Sequence, residues 1–88
     1  MKRYRLITSF DCPHCAEAMD IILRQPNVNI DIDVVTSMNE LLNIIPLLPT
    51  NEVEVPAMYD SVTNTLMKLP DDKYSLKGFL VEACKWKG

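Results

Sequence analysis

Residues 3–24 read Arg3-Tyr4-Arg5-Leu6-Ile7-Thr8-Ser9-Phe10-Asp11-Cys12-Pro13-His14-Cys15-Ala16-Glu17-Ala18-Met19-Asp20-Ile21-Ile22-Leu23-Arg24, and within them the chain changes its hydrophobic period. Residues 3–10 are rich in β-branched and aromatic types and predict a strand. Asp11 breaks it. From there Cys12, Cys15, Ala18, Met19, Ile22 and Leu23 recur at the spacing of one helical face, which predicts a helix from Cys12 to about Arg24, ended by Pro26-Asn27. Pro13 suits the first helical position, because a residue there has no intrahelical use for an N–H.

Outward from this strand-to-helix unit the pattern alternates twice more. Residues 28–35 predict a half-buried strand at a sheet edge, with Val28, Ile30, Ile32 and Val34 on one side and Asn29, Asp31 and Asp33 on the other. Ser37 and Glu40 form a capping box, and Met38, Leu41, Leu42 and Ile45 carry the stripe of a second helix closed by Pro46 and Pro49. Val53 to Tyr59, the turn formers Asp60-Ser61 and Thr63-Asn64, and Thr65-Leu66-Met67 predict an antiparallel hairpin. A last helix from about Ser75 puts Leu76, Phe79, Leu80, Ala83 and Cys84 on one face. The order β-α-β-α-β-β-α is α/β, and a four-stranded mixed sheet flanked by the three helices on both faces satisfies every stripe.

With 88 residues the chain is expected to make a single domain, 1–88. Its formal net charge of −3 excludes an electrostatic nucleic-acid binder, which needs clustered Lys and Arg. Lys2, Arg3, Arg5, Lys85 and Lys87 are too few for a patch and are expected to be solvated ends. Met1 to Arg5 leads into only two apolar residues before Thr8 and Ser9, and no run approaches a membrane span, so a cytosolic chain without a membrane partner is expected. In such a reducing compartment three cysteines are not a structural framework.

Cys12 and Cys15 stand one helical turn apart, close enough to form a disulfide. A sulfur at a helix N-terminus is favoured as thiolate by unsatisfied N–H groups and the positive end of the macrodipole. His14 is expected to add to this and Asp11 to oppose it. Cys15, on the buried stripe, is expected to stay a thiol until it resolves a mixed disulfide. A Cys-x-x-Cys pair is also half a zinc site, but only His14 and Cys84 could complete one, and Cys84 lies in a core stripe. No metal is therefore expected. Met19, Met38 and Met67 fit core positions, whereas Met58 is a candidate for a groove beside the cysteines.

Cys12-Pro13-His14-Cys15 after strand one, with Val55-Pro56 opening strand three, resembles the glutaredoxin and thioredoxin superfamily over essentially the whole chain. The resemblance implies the thioredoxin/glutaredoxin fold and thiol-disulfide exchange. It also implies a cis Pro56 facing the cysteines, and a Val55 backbone that pairs with the substrate as an added strand. The chain departs from glutaredoxins at Ser9-Phe10-Asp11, where they usually carry a Lys, at Glu54, where they carry a Thr, and at Leu69-Pro70-Asp71-Asp72, where they carry Gly-Gly followed by Asp. Those features hold glutathione, and Asp71 or Asp72 is the one acidic contact retained. The expected partner is a protein disulfide, with no bound cofactor and with glutathione or a flavin-dependent reductase as reductant; a monomer is expected. The Cys-Pro-His-Cys tetrapeptide is similar to that of oxidising DsbA-type proteins. Two other readings stand beside this one: a glutaredoxin-like module binding a metal or iron-sulfur cluster through Cys12, and a non-catalytic interaction subunit.

Overall fold

The computed structural model describes residues 3–26, 29–50 and 52–85. Met1, Lys2, Asn27, Val28 and Lys87, invoked above, lie outside these described residues. Seven elements follow in the expected order: β1 (Tyr4–Thr8), α1 (Pro13–Leu23), β2 (Ile30–Val34), α2 (Met38–Ile44), β3 (Ala57–Asp60), β4 (Thr65–Lys68) and α3 (Lys73–Lys85). The four strands make one mixed sheet in the order β2-β1-β3-β4. β1 runs parallel to β2, from Tyr4 opposite Ile30 to Thr8 opposite Val34. It runs antiparallel to β3, and β3 to β4.

Side chains alternate along a strand, so adjacent Leu6 and Ile7 point to opposite faces, and both are fully buried. Only a central strand covered on both sides allows this. Leu6, Ile30 and Met58 pack with Ala18 and Ile22 of α1 and with Leu76, Leu80 and Cys84 of α3. Ile7, Ala57 and Tyr59 pack on the other face with Leu41 of α2, and with Val35 and Ile45 that flank it. Each buried Leu, Ile, Val or Met among them stabilises the fold by about 1.5–3 kcal/mol relative to its exposure.

Several details differ from the sequence-based expectation. β1 stops at Thr8 rather than Phe10, because Asp11 takes a left-handed backbone (φ 58°) and the preceding residues already form the turn. Asp is one of the few non-glycine residues that adopts this region readily. Val34, expected on the buried side of β2, is 38 % exposed, while Val35 turns inward to the α2 side. Of the expected stripe, Leu41 in α2 and Ile45 at its C-cap are buried, with Ile44 and Leu48 partly buried beside them, whereas Met38 and Leu42 are 38 % and 39 % exposed. The adjacent pair Leu41-Leu42 made either direction compatible with the pattern. Ile45 leaves the helical region as the C-cap, as a residue before proline tends to do. Strand pairing in the hairpin begins at Ala57, later than Val53, since Pro56 has no N–H to give a ladder.

The caps follow from local chemistry. Ser37 Oγ accepts the N–H of Glu40 (3.2 Å), and the Glu40 carboxylate reaches back to the N–H (3.2 Å) and hydroxyl (2.7 Å) of Thr36. α3 starts two residues before Ser75 because Asp72 caps it: its carboxylate accepts the Ser75 N–H (2.9 Å) and its carbonyl the Leu76 N–H (2.8 Å).

Arg3 and Arg5 are not merely solvated. Arg3 holds Asp60 through two parallel bonds of 2.9 and 2.8 Å, and Arg5 holds Asp33 at 2.8 and 3.2 Å with Asp31 at 3.6 Å. The Arg3 guanidinium holds the Asp60 carboxyl below its ordinary value, against the opposing effect of burial. Among the described residues no buried side-chain nitrogen or oxygen lacks a partner.

Candidate functional site

The site is assembled at the carboxyl end of β1. Thr8 is fully buried; its hydroxyl donates to the Asp33 carbonyl (2.9 Å) and its own carbonyl accepts the Val35 N–H (2.9 Å), so the strand is anchored up to its last residue. Ser9, Phe10 and Asp11 then turn the chain into α1. Cys12 is the N-cap, with extended backbone (φ −119°, ψ 100°), and Pro13 is at the first helical position. The Cys12 carbonyl accepts the Ala16 N–H (3.0 Å), and its sulfur accepts the Cys15 N–H (3.2 Å). The cap role usually filled by a Ser or Asp oxygen is thus filled by a sulfur.

Cys12 and Cys15 are joined as a disulfide, with their Cα atoms 5.1 Å apart, inside the range a disulfide spans. The two sulfurs are not equivalent. Cys12 is half-buried, whereas Cys15 is fully buried beneath it on the core side of α1. A large reactant can meet the first and not the second.

Both ring nitrogens of His14 face groups other than the Cys12 sulfur. Its Nε2 lies 3.2 Å from the Pro70 carbonyl and its Nδ1 3.8 Å from the Glu17 carboxylate. With Nε2 protonated the ring donates to Pro70 and ties the first turn of α1 to the loop before α3. Its expected help to the anion has no hydrogen bond behind it.

The Val55–Pro56 peptide is cis and Pro56 is buried. Val55 stands just outside the β1–β3 ladder. Val55, Pro56 and Asp71 line one cleft with His14, Glu54 and Lys68, so the second half of the motif stands beside the first. Asp72 does not join them. The backbone N–H of Ser75 donates to its carboxylate and keeps its carboxyl below the ordinary value, so Asp72 caps α3.

Met58, a groove candidate by sequence, is fully buried in the α1–α3 core and does not line the groove beside Cys12. The groove beside Cys12 is built instead by Phe10, Asp11, Ala16, Met19 and Val34 and has a volume of about 570 Å³. Phe10 is 71 % exposed there. The sequence signal for it was Asp11, a residue suited to a left-handed turn, which ends the strand early enough to release Phe10. Val34 of β2 is 38 % exposed and lines the same groove opposite Pro13, Ala16 and Met19 of α1. Cys84 is buried against α1 and β1, and burial pushes its thiol up.

Among the described residues no three His, Cys, Asp or Glu side chains gather as a metal site, and no helix is long and apolar enough to cross a membrane. Compared with known proteins, the chain matches no family model, no curated protein and no solved structure.

Proposed function

We propose that this chain is a thiol-disulfide oxidoreductase with a glutaredoxin- or thioredoxin-like fold, acting on protein disulfides through Cys12 and Cys15. The observation that carries the reading is the inequality of the two sulfurs: Cys12 partly exposed at a helix N-cap and receiving an N–H, Cys15 buried one turn behind it.

In the reduced protein the Cys12 thiolate attacks one sulfur of a substrate disulfide, forming a mixed disulfide and releasing one substrate thiolate, which takes a proton from water. Cys15 loses its proton and attacks the Cys12 sulfur, forming the Cys12–Cys15 disulfide and releasing the second substrate thiol. Two electrons pass from the dithiol to the substrate. The Cys15 N–H and the free N–H groups of the first turn favour negative charge on Cys12 before attack. Val55, outside the ladder, offers its backbone to an extended substrate segment. Return to the dithiol draws two electrons from two external thiols, which leave as their disulfide, or from a flavin-dependent reductase. A cytosolic, monomeric chain belongs to the same reading.

The test uses two variants. Cys12→Ser abolishes reduction of an insulin or hydroxyethyl disulfide, and Cys15→Ser accumulates a mixed disulfide seen as an added mass on Cys12. Full turnover by the Cys12 variant would end the reading.

A further inference from the structure

We infer that the Cys12 site, read as above as a disulfide-exchange site, selects cysteines set in apolar, basic polypeptide segments and disfavours glutathione. Two independent features of its surroundings lead there.

The first is shape and polarity. The groove beside the Cys12 sulfur is walled by Phe10, Pro13, Ala16, Met19 and Val34, and its volume of about 570 Å³ holds one or two apolar side chains next to a reacting cysteine. Phe10 is the largest of the wall residues and is 71 % exposed, so an apolar neighbour of the substrate cysteine removes its ring from water. Glutathione has a glycine on one side of its cysteine and a γ-linked glutamate on the other, and offers nothing apolar to this wall.

The second is charge. Asp11 stands in the groove, and Glu54 and Asp71 line the neighbouring cleft around Val55. Glu17 lies beside His14 on the same turn. The cation lining these two clefts among the described residues is Lys68, and it lies 3.9 Å from Glu54, which offsets it. Glutathione brings two carboxylates and one ammonium to any site, a net negative charge that this rim repels. A segment carrying Lys or Arg within a few residues of its cysteine is attracted by the same carboxylates. Fields focused by clefts of one sign change association rates by about 10–10³-fold at low ionic strength.

The experiment is single-turnover oxidation of the fully reduced chain. Four disulfides are compared: hydroxyethyl disulfide, glutathione disulfide, and two symmetric peptide disulfides with Leu and Phe flanking the cysteine, one ending in two Lys and the other in two Glu. Each rate constant is divided by that of dithiothreitol with the same disulfide, which removes differences in leaving-group chemistry. The expected result is a normalised rate at least about tenfold higher for the Lys peptide than for glutathione disulfide or the Glu peptide near 0.01 M salt, shrinking near 1 M. Phe10→Ser lowers the ratio of peptide to hydroxyethyl disulfide rates, and Asp11→Asn narrows the gap between the Lys and Glu peptides. Phe10 and Asp11 are exposed, and an unchanged far-ultraviolet spectrum checks that both variants fold. Equal normalised rates for the Lys peptide and glutathione disulfide, or a preference untouched by both variants, would overturn the inference. Failure of the reduced protein to react even with hydroxyethyl disulfide would instead overturn the oxidoreductase reading itself.

Discussion

If burial sorts the three thiols as the structure has them, fully reduced protein should react with a neutral alkylating agent in two well-separated phases. Cys12 is part-exposed at the cap of α1 and receives the Cys15 N–H, so its sulfur is accessible and favoured as the reactive thiolate. Cys15 is 0 % exposed and Cys84 3 % exposed, so each reacts only when its surroundings open. Cys84 sits in the last turn of α3, whose carbonyl at that residue is held by the Asn29 side chain (2.9 Å). Opening there must break this bond and lift the turn off the core. Local openings range from near zero up to the global stability of about 5–15 kcal/mol. An opening of about 3 kcal/mol already slows labelling roughly a hundredfold, at about 1.4 kcal/mol per factor of ten. Burial also pushes the Cys84 thiol up, which lowers its thiolate fraction and widens the gap. Iodoacetamide labelling quenched over time and mapped by mass spectrometry should find one rapid site, Cys12, and two slow ones. In denaturant all three should react together. Rapid native labelling of Cys84, or of Cys15 at the rate of Cys12, would refute the placement on which the site depends.

Three further outcomes are expected. Ile22→Ala removes a fully buried side chain from the α1–α3 core and should cost about 2–5 kcal/mol in urea unfolding, a large part of the stability of so small a chain. Ser37→Ala removes the hydroxyl that accepts the Glu40 N–H and should cost about 1 kcal/mol by the same measurement. For Asp60, the partner Arg3 lowers the folded-state pKa below the unfolded one, so the pair stabilises the fold above about pH 4 and loses that contribution as pH falls through the folded value. Asp60→Asn should therefore melt well below the parent at neutral pH, and the two melting curves should converge in acid; a gap constant with pH would contradict the ion pair.

Most of the architecture was legible because apolar periods of two and of about 3.6 are direct records of which face is covered. Leu76, Leu80, Ala83 and Cys84 are buried as their spacing implies, and β2 takes the edge position that its alternating aspartates suggested. Boundaries were less legible. Lys73 and Tyr74 are exposed and carry no periodic signal, so the start of α3 rests on the cap that Asp72 supplies. The dithiol turn was legible from spacing, but the direction of the His14 ring was not, because its partner is the backbone carbonyl of Pro70, 56 residues away. The groove was missed for a similar reason: Phe10 and Val34 meet only once β1 and β2 are paired in register.

The cluster of Arg5 with Asp31 and Asp33 bears on the company this molecule keeps. β2 is a border of the sheet, and its outward backbone groups would accept a foreign strand if nothing stood in the way. Two carboxylates gathered on one guanidinium, at 2.8 and 3.6 Å, place ionic groups along that border which an incoming ribbon would have to dehydrate. Sheet growth from copy to copy is opposed there by the cost of burying those ionic groups.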